Sequence, residues 1–78
     1  MVMNVAQIRA ARGLLGWSQQ ELADAAGVGR ATIADFETGK RTPYARTIEE
    51  MQRALESAGV VFLESDQAMG EGVRFSGV

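Results

Sequence analysis

The 78-residue sequence contains no cysteine and no histidine. Without cysteine there is no disulfide staple and no thiolate to hold a metal. Without histidine the commonest general base and the commonest zinc ligand are both missing. Proline is nearly absent, with Pro43 alone, so most chain breaks fall to the nine glycines. Long apolar runs are missing too. The longest, Val60 to Leu63, is far short of a membrane span. The opening MVMNVAQIRA has no basic region followed by a long apolar one, so no signal peptide is read there and a cytoplasmic location is expected. The sequence shows no Ser/His or Cys/His set, no phosphate loop and no metal-ligand cluster. Glu49 and Glu50 are neighbours; on a helix they would point about 100° apart rather than converge. The expectation is a non-enzyme with no cofactor, no metal and no small-molecule substrate.

What is present fits one small globular domain. The apolar share is 46%, ordinary for a folded protein. A chain this short is marginal alone and would gain from dimerisation. The net charge of −2 speaks against nucleic acid, but its distribution is uneven. Residues 1–46 hold six basic and four acidic side chains, whereas residues 47–78 hold two basic and six acidic ones. The halves should meet different partners or face different ways.

Apolar spacing predicts a first helix over residues 4–14, with Val5, Ile8, Ala11 and Leu15 near one face and Arg9 off it. Ser18 followed by Glu21 is the pattern of a capping box, with Trp17 and Leu22 placed as a hydrophobic staple. Helix 2 then runs from Gln19 to about Ala26, ended by Gly27. A third helix starts after Gly29, a weak cap, with Ile33 and Phe36 inward. Pro43 opens a linker before a fourth helix, Arg46 to Ala58, striped by Ile48, Met51, Leu55 and Ala58. The period then changes. Residues 60–64 (VVFLE) and 73–76 (VRFS) read as strands joined by a polar, glycine-containing loop. The fold class predicted is mainly α, four helices with a C-terminal β-hairpin or dimerisation strands.

Two helices of about eight residues separated by Gly-Val-Gly are too short to be stable alone. Their spacing is that of a helix-turn-helix, in which one helix props another at a steep angle so that it can enter a major groove. Ala23, Ala25 and Ala26 are small enough for close approach. The stretch LLGWSQQELADAAGVGRATIADFETGKRTP, residues 14–43, closely resembles the helix-turn-helix of the lambda-repressor-like (XRE) regulators. The matching features are Ser18-Gln19, Glu21-Leu22-Ala23, Gly27-Val28, Ile33, Phe36, Glu37, Gly39 and Lys40. The tail GVVFLESDQAMGEGVRF is similar, over a shorter match, to that of small bacterial members. On this reading residues 1–58 form the DNA-binding domain, and residues 59–78 a strand tail of the same compact unit.

The resemblance implies a dimeric, sequence-specific reader of double-stranded DNA, with a recognition helix at about 29–38. It places Gln19 on a backbone phosphate, and on a base edge if it reaches. Arg30, Ala31 and Asp35 fall where the family reads bases, and Thr32, Thr38, Lys40 and Arg41 lie near phosphates. Arg12 and Glu37 match a pair that ties helix 1 to helix 3. Taken alone, Arg30 is either a guanine contact or a solvated arginine, and Ala31 either meets a thymine methyl or only allows close approach. Asp35 departs from what a phosphate-rich groove favours: it accepts from a cytosine amine, pairs with Arg30 or faces away. Val60, Val61, Phe62 and Leu63, apolar on both pleat faces, are expected to pair with a second copy, with an intramolecular hairpin as the alternative. A second functional class stays open beside DNA binding: an antitoxin or other module whose partner is a protein, such as a toxin.

Overall fold

The computed structural model describes residues 3–77. Four helices, α1 (Val5–Leu15), α2 (Gln19–Ala26), α3 (Arg30–Glu37) and α4 (Ala45–Ser57), precede two strands, β1 (Val60–Leu63) and β2 (Gly72–Phe75). The architecture is the predicted one, mainly helical with a small antiparallel hairpin.

The first two helices start on reciprocal side-chain caps. Ser18 Oγ accepts the Glu21 N–H at 3.0 Å, and Glu21 Oε1 accepts the Ser18 N–H at 2.9 Å. Asn4 and Gln7 form the same box at the start of α1, at 2.8 and 3.0 Å. Each box satisfies two of the N–H groups that a helix start leaves without partners. The α2–α3 turn depends on Gly27, whose φ of 72° lies in the left-handed region that costs most residues about 1–2 kcal/mol. There the chain reverses within one residue, and the Gly27 and Val28 N–H groups both donate to the Ala23 carbonyl. Gly29 begins α3 with no side-chain cap.

The buried core gathers Ile8 and Ala11 of α1, Leu22 and Ala23 of α2, Ile33 and Phe36 of α3, Ile48, Met51 and Leu55 of α4, and Val60 of β1, with Met3 ahead of α1. Trp17 and Val28, which flank α2, pack against it half-buried. Two residues expected at packed positions, Ala58 in the stripe of α4 and Ala25 at the approach of α2 and α3, lie outside. Ala58 caps α4 one residue past its end and is exposed. Ala25 is exposed as well, because only Ala23 and Ala26 share the inner side of α2.

The two strands pair within the chain, Val60 opposite Phe75 and Leu63 opposite Gly72. Residues opposite one another share a face. Val60, Phe62 and Val73 accordingly turn onto the core. Val61 and Leu63 lie half-exposed, with Arg74, on the outer face. The connecting loop is turned by Asp66, whose Oδ1 accepts the N–H groups of Ala68 and Met69 at 2.8 and 2.7 Å.

Gln7 joins the hairpin to the helices. Its side-chain nitrogen donates to the carbonyls of Leu63, at 3.2 Å, and Gly72, at 3.1 Å, at the end of the strand pair. The residue is only 4% exposed, and its partners Leu63 and Gly72 are half-buried, so water replaces these bonds only in part if they are lost. Gln7→Ala should lower unfolding stability by about 1–2 kcal/mol, the cost of leaving half-buried carbonyls poorly paired. Urea unfolding followed by Trp17 fluorescence measures it; a midpoint equal to wild type would show that the hairpin docks without Gln7.

Candidate nucleic-acid interface

α2 and α3 pack on one another, and both contribute to the common core. Ile33, Phe36 and Glu37 form the buried side of α3. At about 100° per residue, Ala31, Asp35 and Thr38 fall on the opposite side. Ala31 and Thr38 are exposed and Asp35 is half-exposed. The helix is therefore propped with one face outward, the arrangement that entry into a major groove requires.

One cluster holds that face in place. Arg12 of α1 donates from Nε to Glu37 Oε2 at 2.8 Å and from Nη2 to Glu37 Oε1 at 2.7 Å. Its third nitrogen, Nη1, donates to the Trp17 carbonyl at 2.9 Å, and the Trp17 N–H donates back to the Arg12 carbonyl at 2.9 Å. Gln19 Nε2 of α2 adds a bond to Glu37 Oε1 at 3.1 Å. Three helices and the segment between α1 and α2 thus converge on one carboxylate whose side chain is 4% exposed. Burial pushes the Glu37 pKa up, but the hydrogen bonds from Arg12 and Gln19 and the charges of Arg12 and Arg9 outweigh it and hold the group below its ordinary 4.5. The hydrogen bond to Glu37 raises the Arg12 pKa against the opposing effect of burial.

The cluster defines where Gln19 stands. Its amide is committed on one side to Glu37 and is half-buried. The outer side of the amide is what remains to meet a phosphate or a base. Thr38 is similarly engaged: its hydroxyl turns back to the carbonyls of Ala34, at 3.0 Å, and Asp35, at 3.3 Å. Arg30, Lys40 and Arg41 are exposed and enter no ion pair among the described residues. Arg30 and Asp35 lie five residues apart, about 140° around the helix, and no bond joins them. Asp35 instead lines a cleft of about 680 Å³ with Ala31 and Thr32 on one wall and Arg41, Tyr44 and Thr47 on the other. The second wall is folded against α3 by the N–H groups of Lys40 and Arg41, which donate to the Asp35 carbonyl at 2.9 and 3.2 Å.

Several of these features escape a reading along the chain. The Asn4-Gln7 box was legible as Asn followed three residues later by Gln, but the bonds from Gln7 to the hairpin span more than fifty residues. The Gln19–Glu37 bond and the influence of Arg9 on Glu37 carry no sequence signal, because they exist only once three helices are packed. Among the described residues no group of acidic side chains is placed to hold a metal ion, and no helix is long and apolar enough to cross a membrane.

Two short helices packed on one another and joined at Gly27-Val28, the second with Ala31, Asp35 and Thr38 on its outer side, define a helix-turn-helix. The comparison with protein families agrees: the model described as Helix-turn-helix, of the XRE/lambda-repressor-like type, matches residues 8–59. That span is two thirds of the chain, and the protein belongs to this DNA-binding regulatory family. No curated protein matches the sequence.

Breaking the cluster should be costly. Arg12→Ala leaves a buried carboxylate unpaired and should cost about 2–4 kcal/mol, below the full figure for a buried pair because Arg12 is 20% exposed. Denaturant unfolding measures it; a loss under 1 kcal/mol would mean that water replaces Arg12. The pH dependence has a defined sign. A carboxylate with a lowered folded-state pKa contributes fully above its ordinary 4.5 and loses that contribution as pH falls through the lower folded value. The stability gap between wild type and Glu37→Gln should therefore be constant near neutrality and narrow below pH 4.5. A gap independent of pH would exclude ionised Glu37 as its source.

Proposed function

We propose that the protein is a sequence-specific transcriptional regulator that binds double-stranded DNA as a dimer on an inverted repeat, with α3 as its recognition helix. The observation that carries this reading is the outward face of α3, fixed at its C-terminal end by the Arg12–Glu37–Gln19 cluster and flanked by unpaired Arg30, Lys40 and Arg41. A helix held this rigidly keeps its side chains in register with base edges. In this reading Arg30, Ala31 and Asp35 face bases. Gln19, Thr32, Thr38, Lys40 and Arg41 lie along phosphates, with Thr38 freeing its hydroxyl from the Ala34 carbonyl on binding. The protein acts in the cytoplasm.

One such domain reaches few base pairs, so a dimer reading two half-sites about one helical turn apart supplies the specificity. Its contact is assigned to the outer face and edge of the hairpin. Val60 is 2% exposed and belongs to its own core, which leaves Val61, Leu63 and the rim of Phe62 for the twin chain. The acidic side chains of α4 and the hairpin lie exposed at Glu49, Glu56, Glu64, Asp66 and Glu71, suited to turn away from DNA.

The net charge of −2 and the carboxylate of Asp35 favour a second reading, in which the partner is a protein, as for an antitoxin that binds its toxin. Selection from randomised duplex DNA at near-physiological salt separates the two. The expected result is an enriched inverted repeat of fixed spacing, with Arg30→Ala relaxing one position in each half-site by about 1–3 kcal/mol. Affinity should fall steeply with salt. No enrichment even at low salt would favour the protein partner. Light scattering should show a dimer at micromolar concentration, and a monomer there would remove the hairpin interface.

A further inference from the structure

Tyr44 is 87% exposed. It is the only tyrosine in the sequence, and its hydroxyl makes no hydrogen bond among the described residues. An aromatic ring left in water costs free energy that a small domain normally recovers by burial. Its backbone is tied into α4. The Tyr44 carbonyl accepts the N–H groups of Thr47 at 2.9 Å and Ile48 at 3.1 Å, so the residue caps α4. Pro43 precedes it and restricts the chain further, and Ile48, one turn on, is anchored in the core. The ring is held outward on a rigid stem.

Its position is specific. Tyr44 stands with Arg41 on one wall of the cleft whose other wall is the outward side of α3, at Ala31, Thr32 and Asp35. The carboxylate of Asp35 repels a phosphate and the guanidinium of Arg41 attracts one, so a sugar-phosphate strand at the cleft lies nearer Arg41 and Tyr44 than Asp35. No acidic residue stands in the first turn of α4 to oppose it. A phenol offers an apolar face to the C–H groups of a deoxyribose and a hydroxyl to a phosphate oxygen, beside a guanidinium that supplies the charge. A lipid surface or a hydrophobic protein groove would ask for further apolar side chains around the ring. The cleft mixes Val28, Ala31 and Pro43 with three threonines, an arginine and an aspartate, and its two charged groups favour a polar, charged ligand over a purely apolar one.

We propose that Tyr44 is a DNA-contacting residue that packs on the deoxyribose of the strand whose phosphate Arg41 neutralises, and so sets how deeply α3 sits in the groove. The inference rests on the DNA-binding reading above and assigns a contact that reading does not contain. Because the contact is made to the backbone and carries no charge, it should strengthen binding to every sequence alike and leave the salt dependence untouched. Arg41 should do the reverse to the salt dependence.

The test uses the full chain and the duplex recovered by selection, with an unrelated duplex as control. Wild-type binding is measured first. Tyr44→Ala should weaken both complexes by about tenfold with an unchanged slope of log K against log salt. Tyr44→Phe should retain most of the affinity, and Arg41→Ala should reduce the slope by about one. With the single tyrosine ring isotope-labelled, the complex should show nuclear Overhauser contacts from ring protons to deoxyribose protons. Tyr44→Ala binding as tightly as wild type, or a saturated complex without those contacts, would overturn the proposal while leaving the DNA reading intact. Failure of the wild type to bind any duplex would overturn both. Misfolding is not expected to confuse the result, since the ring reaches no part of the core, and the unfolding midpoint of each variant checks it.

Discussion

Glu37 ends α3 with its side chain almost wholly out of water, a position that an ionised carboxylate tolerates only when its oxygens are met. Arg12 meets both in a planar fork, and Gln19 meets one of them again. The geometry of the domain follows from this requirement. A bidentate guanidinium–carboxylate pair accepts little rotation, so α1 and α3 take one mutual angle. The third arm of Arg12, on the Trp17 carbonyl, fixes the chain where it enters α2. Hydrophobic packing of Ile8, Leu22, Ile33 and Phe36 is non-directional. The ion pair adds a directional constraint between α1 and α3.

Rigidity at that point matters because α3 itself is short and begins on Gly29 without a side-chain cap. A helix of two turns has little stability of its own. It is anchored at its C-terminal end by Glu37 and through its middle by Ile33 and Phe36, while its N-terminal turn stays open. The first turn carries Arg30, exposed and in no ion pair among the described residues. The linker after α3 is drawn back to the Asp35 carbonyl, and this gives the outward face a second wall instead of a free edge. At the other end of the molecule Gln7 does for the hairpin what Arg12 does for the helices. One buried polar side chain satisfies two backbone carbonyls and ties a four-residue strand pair, marginal by itself, to α1.

Much of this was legible along the chain. The caps at Ser18 and Glu21, the breaks at Gly27 and Gly59, the stripe of Ile48, Met51 and Leu55 and the change of period after Gly59 are local signals, each produced by residues within a turn or two of one another. The hairpin was legible as an alternative to intermolecular strands, but its docking through Gln7 was not. Ala58 and Ala25 were misplaced for a related reason: an alanine fits the apolar pattern of a helix on either side, and burial is decided by what packs opposite. For Asp35, the residue type raised the question and three options followed. The structure removes the pairing with Arg30, since the two side chains leave α3 in different directions, and sets Asp35 across a cleft from Arg41.

The sequence by itself determined the elements, their order and the presence of a helix-turn-helix, because those follow from periodicity, capping and glycine placement, which act over a few residues. It also supplied the groups for the site. Only the tertiary structure decided how they are used. The Nε2 side of Gln19 is bound to Glu37, the Thr38 hydroxyl is turned inward, Val60 lies in the core, and Tyr44 stands free beside Arg41. Each of these depends on directions in space between segments remote in the chain, and such directions are fixed by the joint packing of all four helices and the hairpin.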